Sequence, residues 1–314
     1  ETLPSDANAV NGDVVSGRVF ATQPVVEARD DAGLRDVDYE TGSVGVRVSS
    51  GDVALSGISS VGWDAGLGVF AGLSVSGSVD GSTFVLEAFD GSLPSVESGS
   101  LVADVVATEM MFETLPADED AVNGDVVNGR VFATQPVVKA RDDVGLLDVD
   151  YETGNVGVRV SSGDVALSGI SSVGWDAGLG VFADLSVSGS VDGSTFVLEA
   201  FDGSLPSVES GSLVADVVAT EMVFETLPSD EDAVNGDVVN GRVFATQPVV
   251  EAQDDAGLRD VDYETGSVGV RVSSGDVALS GISSVGWDAG LGVFADLSVS
   301  GSVDGSTFVL ETFD

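Results

Sequence analysis

Apolar and polar residues alternate with a period of two along short stretches of this chain. In "SVGVRV", Val44, Val46 and Val48 alternate with Gly45 and Arg47. In "TFVLEA", Phe84, Leu86 and Ala88 share one side against Val85 and Glu87. In "PVVEAR", Val26 and Ala28 oppose Val25, Glu27 and Arg29. Successive side chains of an extended strand point to opposite faces, so each stretch predicts a strand with one buried face. Turn-forming clusters ("NGD", "DDAG", "SSGD", "SVDG") separate the stretches. Gly and Ser are abundant, Pro is scarce, and no stretch carries an amphipathic helical repeat. The pattern predicts an all-β chain of antiparallel sandwiches.

The pattern recurs at long range. "ETLP" stands at Glu1, Glu113 and Glu225, a period of 112 residues, and Trp63, Trp175 and Trp287 keep the same register. A period of that length is the size of a free-standing domain rather than of a solenoid unit. Substitutions between copies are few: Glu27 becomes Lys139, Arg35 becomes Leu147, and Gly72 becomes Asp184.

The order of segments within a unit is also informative. "ATEMMFETLP" (107–116) is followed by "QPVVKARDDVGLLD" (135–148), "VALSG" (165–169), "GVFADLSVSG" (180–189) and "STFVLEA" (194–200). This succession resembles the immunoglobulin-like repeats strung along large surface proteins of bacteria and archaea. The resemblance covers each unit end to end, with two departures: Leu34, Leu146 and Leu258 stand where the turn often has Asn, and the acidity is far higher. It implies tandem immunoglobulin-like sandwiches of seven strands and an architectural role, with no active site to carry over. It also places the first strand of a unit at "ATEMMFETLP". The expected domains are therefore 1–106, 107–218 and 219–314, the first with a truncated opening strand and the third without its last strand. Two explanations of the third unit stand open: the sequence is a window on a longer array, or the subunit borrows a strand from a neighbour to cover an open sheet edge.

Charge narrows the setting. The chain has 53 acidic and 11 basic residues, a formal charge of −42, and Lys139 is its one lysine. With 43% hydrophobic residues it has the apolar content to fold, unlike a disordered acidic tail. Such a chain repels itself unless salt screens it, and at molar salt the Debye length falls to about 3 Å. The composition points to a halophile, with a calcium-loaded extracellular protein and a DNA mimic as rivals. No basic stripe exists to meet nucleic acid or an anionic membrane. No apolar run approaches the ~20 residues of a membrane-spanning helix. The absence of Cys and His removes disulfides, thiolate nucleophiles, the usual zinc sites and imidazole bases. No N-x-S/T sequon is present.

Two sets of residues are candidates for binding. The first is the acidic run "RDDAGLRDVDYE" and its copies: Asp30, Asp31, Asp36, Asp38 and Glu40; Asp142, Asp143, Asp148, Asp150 and Glu152; Asp254, Asp255, Asp260, Asp262 and Glu264. Oxygens from a turn and an adjacent strand suit calcium, which takes 6 to 8 of them. The competing account is a solvated surface, with "DDAG" a turn and Asp36, Asp38 and Glu40 on the outer face of a strand. No other cofactor is expected. The second set is Trp63, Trp175 and Trp287, which would either stack on a sugar or cap the core. Carboxylate pairs abound, but Ser has almost nothing to activate it and no long loops build a pocket, so enzymatic activity is not expected. The expectation is an extracellular or cell-surface structural protein that self-associates into a rod or filament in high salt. An adhesin recognising glycans, cell surfaces or calcium is the alternative, and a viral fibre is a third.

Overall fold

The computed structural model describes residues 2–122, 124–234 and 238–314. All regular structure among them is β. In the middle repeat a five-stranded sheet runs in the order Val126–Val127, Val208–Asp216, Ser194–Phe201, Asn155–Gly163, Ser172–Gly174. Its pairs are antiparallel except the first, where Val126 and Val127 lie parallel to Ala215 and Asp216. The other layer holds a three-stranded sheet (Glu109–Thr114, Val137–Arg141, Leu179–Val181) and a two-stranded one (Val165–Ile170 with Ala183–Gly189). Instead of seven long strands the sandwich is made of more numerous, shorter segments. Register shifts at Val160/Ser162, Val197/Glu199 and Ser168/Ile170 break the ladders, as bulges do.

The period-two pattern decides what lies between the layers. Phe196, Leu198 and Ala200 are buried from the five-stranded sheet, and Val138, Ala140, Leu185 and Val187 meet them from the other side. Burying a side chain of this size contributes about 1.5–3 kcal/mol, so this layer dominates the stability of the repeat. The first repeat closes a separate cluster around Val44, Phe84 and Leu101, and the third closes its own around Val250, Val268 and Phe294. In the third repeat Phe308–Phe313 is the outer strand of a three-stranded sheet, and Phe308 and Leu310 are only partly buried.

On the outer face, Gly157 pairs with Phe201, whose ring lies over the space a Cβ would fill. The Arg159 guanidinium sits 5.0 Å from the centre of that ring and holds Glu199 at 2.7 Å. The exposed phenylalanine thus shields a bare stretch of backbone.

One stretch departs from its expectation. Asp36 to Glu40 is not a strand with its acids on one face. Val37 and Asp38 form a turn, and Asp36 Oδ1 accepts the Asp38 amide at 3.1 Å. A short acidic side chain that captures an amide two residues on competes with strand pairing, and here it wins. "DDAG" is the turn expected: Asp30 Oδ1 accepts the amides of Ala32 and Leu34 at 3.0 and 2.8 Å, and Gly33 has φ +82°.

Gly169 carries one of the two tightest backbone approaches of the middle repeat, with Gly178 the other. The φ of Gly169 is +100°, and a Cβ there would overlap the Asp184 carbonyl oxygen. Gly169→Ala is expected to cost about 2 kcal/mol or more, because both the φ and the contact are unfavourable. Gly193→Ala, at φ +69° with open space around it, is expected to cost about 1 kcal/mol. Calorimetric melting of the two variants checks the difference.

Candidate functional site

Four residues, 105–108, join the last strand of the first repeat, Val96–Asp104, to the first strand of the second, Glu109–Thr114. Carboxylates from both repeats hold this connection. Asp80, in the turn before strand Ser82–Phe89, accepts the Val105 amide at 2.7 Å with Oδ1 and the Val149 amide at 2.9 Å with Oδ2. One side chain of the first repeat therefore grips both the connection and a turn of the second. Asp148, in the second repeat, accepts the Ala107 amide at 2.7 Å. Each bond satisfies a backbone donor that no strand pairing reaches.

Two more acids complete the cluster. Asp104 ends the last strand and is 1% exposed, with Oδ2 accepting the Val10 amide at 2.7 Å. Asp150 follows in the Val149–Asp150 turn and accepts the side-chain amide of Asn11, which reaches across from the first repeat. Asp80, Asp104 and Asp150 each bring an oxygen within 4.8 Å of the others. The same arrangement joins the second and third repeats: Asp192 accepts the Val217 and Val261 amides at 2.7 and 2.9 Å, Asp260 accepts the Ala219 amide at 2.9 Å, and Asp192, Asp216 and Asp262 converge.

The electrostatics are unfavourable as they stand. Asp148 is 4% exposed, its Oδ1 has no hydrogen-bond donor, and its carboxylate neighbours that of Asp150. Burial, then Asp150 and Asp80, push its pKa up to about 7 against the opposing pull of the Ala107 amide. Asp260 is pushed up to about 6 by burial, then Asp262 and Asp192. Asp104 is raised by burial and then by the charges of Asp150 and Asp80. A buried acid elsewhere behaves differently: burial pushes Asp118 up, but Arg130, 2.6 Å away, brings it below the usual carboxylate value. Among the described residues, no ion pair reaches Asp80, Asp104, Asp148 or Asp150. Two like charges 4 Å apart cost about 4 kcal/mol at an effective dielectric constant of about 20.

The acidic runs read from the sequence are thus divided. Asp148 and Asp150, with Asp260 and Asp262, lie at the junctions. Asp142 and Asp254 each use Oδ1 to close their own turns, accepting Val144 and Leu146 at 3.1 and 2.8 Å and Ala256 and Leu258 at 3.0 and 2.8 Å. Asp143, Glu152, Asp255 and Glu264 are exposed, as are Asp30, Asp31, Asp36, Asp38 and Glu40. Asp36 is exposed where Asp148 is buried, because no preceding repeat in this sequence covers it. The sequence reading missed Asp80, Asp104, Asp192 and Asp216. "SVDG" reads as an ordinary turn, and the one available signal was an Asp inside the apolar run "LVADVV", where a charge needs a partner.

The three tryptophans belong to the core clusters and are 6–8% exposed. Tyr39, Tyr151 and Tyr263 meet them edge to face with centroids 5.3 Å apart. Rings packed in this way offer no open face to a sugar.

No protein-family model matches the sequence, and no curated protein matches it. Among solved structures the chain is similar to invasin, a bacterial integrin-binding protein, at 14% identity and TM-score 0.32 over 97% of this chain and 55% of that one. It is similar to domains 4–9 of the surface layer protein SbsC at 15% identity and TM-score 0.25 over 96% and 44%. It is also similar to a beta-glycosidase from Bacteroides vulgatus at 10% identity and TM-score 0.28 over 56% and 21%. The chain thus spans no more than 55% of any of the three. TM-scores of this size carry no argument about function.

A carboxyl whose folded pKa lies above its unfolded value of about 3.9 binds more protons folded than unfolded between the two. Its contribution to stability is therefore full below the unfolded value and lost as pH rises through the folded one. In chelator, Asp148→Asn/Asp260→Asn is expected to gain stability relative to the parent chain as pH rises from about 4 to about 7, and to hold that lead above it. Thermal melting across that range checks the sign.

Proposed function

We propose that this chain is a length of a tandem immunoglobulin-like array with a structural role outside the cell or at its surface, self-associating into a rod or filament in high salt. The observation that carries this reading is the construction in series. Each repeat closes its own core, and a four-residue connection is gripped by side chains of both neighbours. That arrangement transmits position along the chain and limits rotation between repeats. Repetition then multiplies weak lateral contacts at high effective concentration.

The charge fits the same setting. At −42 the surface keeps copies apart at low ionic strength and lets them approach when salt shortens the range of repulsion. Two measurements test the proposal. Negative-stain images in molar potassium chloride are expected to show ordered fibres; dispersed monomers that bind glycan arrays instead would favour the adhesin reading. The thermal midpoint is expected to rise continuously between about 0.1 and 2 M monovalent salt, where the Debye length shrinks from about 10 Å to below 3 Å.

A further inference from the structure

We propose that each junction between repeats is a divalent-cation site of the calcium class, built by Asp80, Asp104, Asp148 and Asp150 at the first junction and by Asp192, Asp216, Asp260 and Asp262 at the second. The inference goes beyond the structural role proposed above and does not depend on it.

Geometry comes first. Asp80, Asp104 and Asp150 offer three oxygens within 4.8 Å of one another. Ligands facing each other across a calcium ion, with bonds of about 2.4 Å, stand about 4.8 Å apart, so the cluster has the dimensions of one coordination sphere. The ligand type fits as well. The chain has no His or Cys, and a set made only of oxygens selects a hard cation.

The second observation is independent of that convergence. Asp148 is 96% buried, one of its oxygens has no donor, and that carboxylate faces Asp150 with Asp80 beyond it. Asp260 repeats this toward Asp262 and Asp192. A buried carboxylate oxygen that has no donor, neighbours other carboxylates and is reached by no ion pair among the described residues lacks a positive partner. A cation supplies it. The backbone amides already bound to Asp80 and Asp104 use one lone pair of each oxygen and leave another for the ion. Asn11, at the rim, adds a neutral oxygen when its amide is turned over.

The ligands come from two repeats, so binding couples them. Asp80 and Asp104 belong to the first repeat and Asp148 and Asp150 to the second, and the ion would hold the connection that the amide bonds outline. Asp38, the first-repeat counterpart of Asp150, is exposed and joins no such cluster among the described residues, which supplies an internal control.

Calcium titrated calorimetrically into the full chain, after chelator treatment and at fixed ionic strength, is expected to bind at two ions per chain and to raise the melting midpoint. Asp150→Asn/Asp262→Asn is expected to lower calcium affinity at least tenfold at both sites, and Asp80→Asn/Asp192→Asn to do so by a separate route. Asp38→Asn is expected to leave the stoichiometry at two. Absence of calcium binding by the parent chain would overturn the proposal. So would binding that survives both double variants while circular dichroism shows them folded, or loss of an ion in Asp38→Asn.

Discussion

The whole chain rests on one contact layer per repeat, in which alternate side chains of the larger sheet (five strands in the first two repeats, three in the third) meet those of two smaller sheets. Phe196, Leu198 and Leu213 are packed there against Val138, Leu185 and Val187. Because side chains alternate strictly, moving any of these strands by one residue would turn the apolar set outward and the acids inward. At this charge that error is especially costly, so the same acidity that keeps the surface soluble also enforces register. The glycines at tight approaches, such as Gly169, and the Phe201 ring over Gly157 are local adjustments to that layer.

The acids have three different duties, although composition alone makes them look alike. Some, such as Asp142, close turns by accepting amides a few residues on. Others, such as Glu199 beside Arg159, sit in exposed pairs worth little individually. Those at the junctions are buried or half-buried and crowd one another, and Asp80 and Asp148 hold backbone amides of the connecting segment. Among the described residues, Asp148 and Asp260 are the acids whose buried carboxylate oxygens lack a hydrogen-bond donor, and both stand where repeats meet.

The contrast between Asp36 and Asp148 makes the point in a single pair. Both stand at the same position of nearly the same sequence, yet one is exposed and the other is 4% exposed. The difference comes from the neighbouring repeat, whose Asp80 loop and connecting strand cover Asp148. A property of this kind belongs to the array, and a single repeat does not possess it.

Sequence by itself determined the all-β class, the buried identity of Phe84, Leu86 and Ala88, and the "DDAG" turns, because strand alternation and Asx turns are local and written in consecutive residues. It misjudged Asp36 to Glu40, where an amide captured by a carboxylate outweighed alternation. It passed over Asp80 and Asp104 altogether. Only the tertiary structure decided which acids converge, because Asp80, Asp104 and Asp150 approach one another through the packing of two repeats, and no local pattern records a distance across a junction.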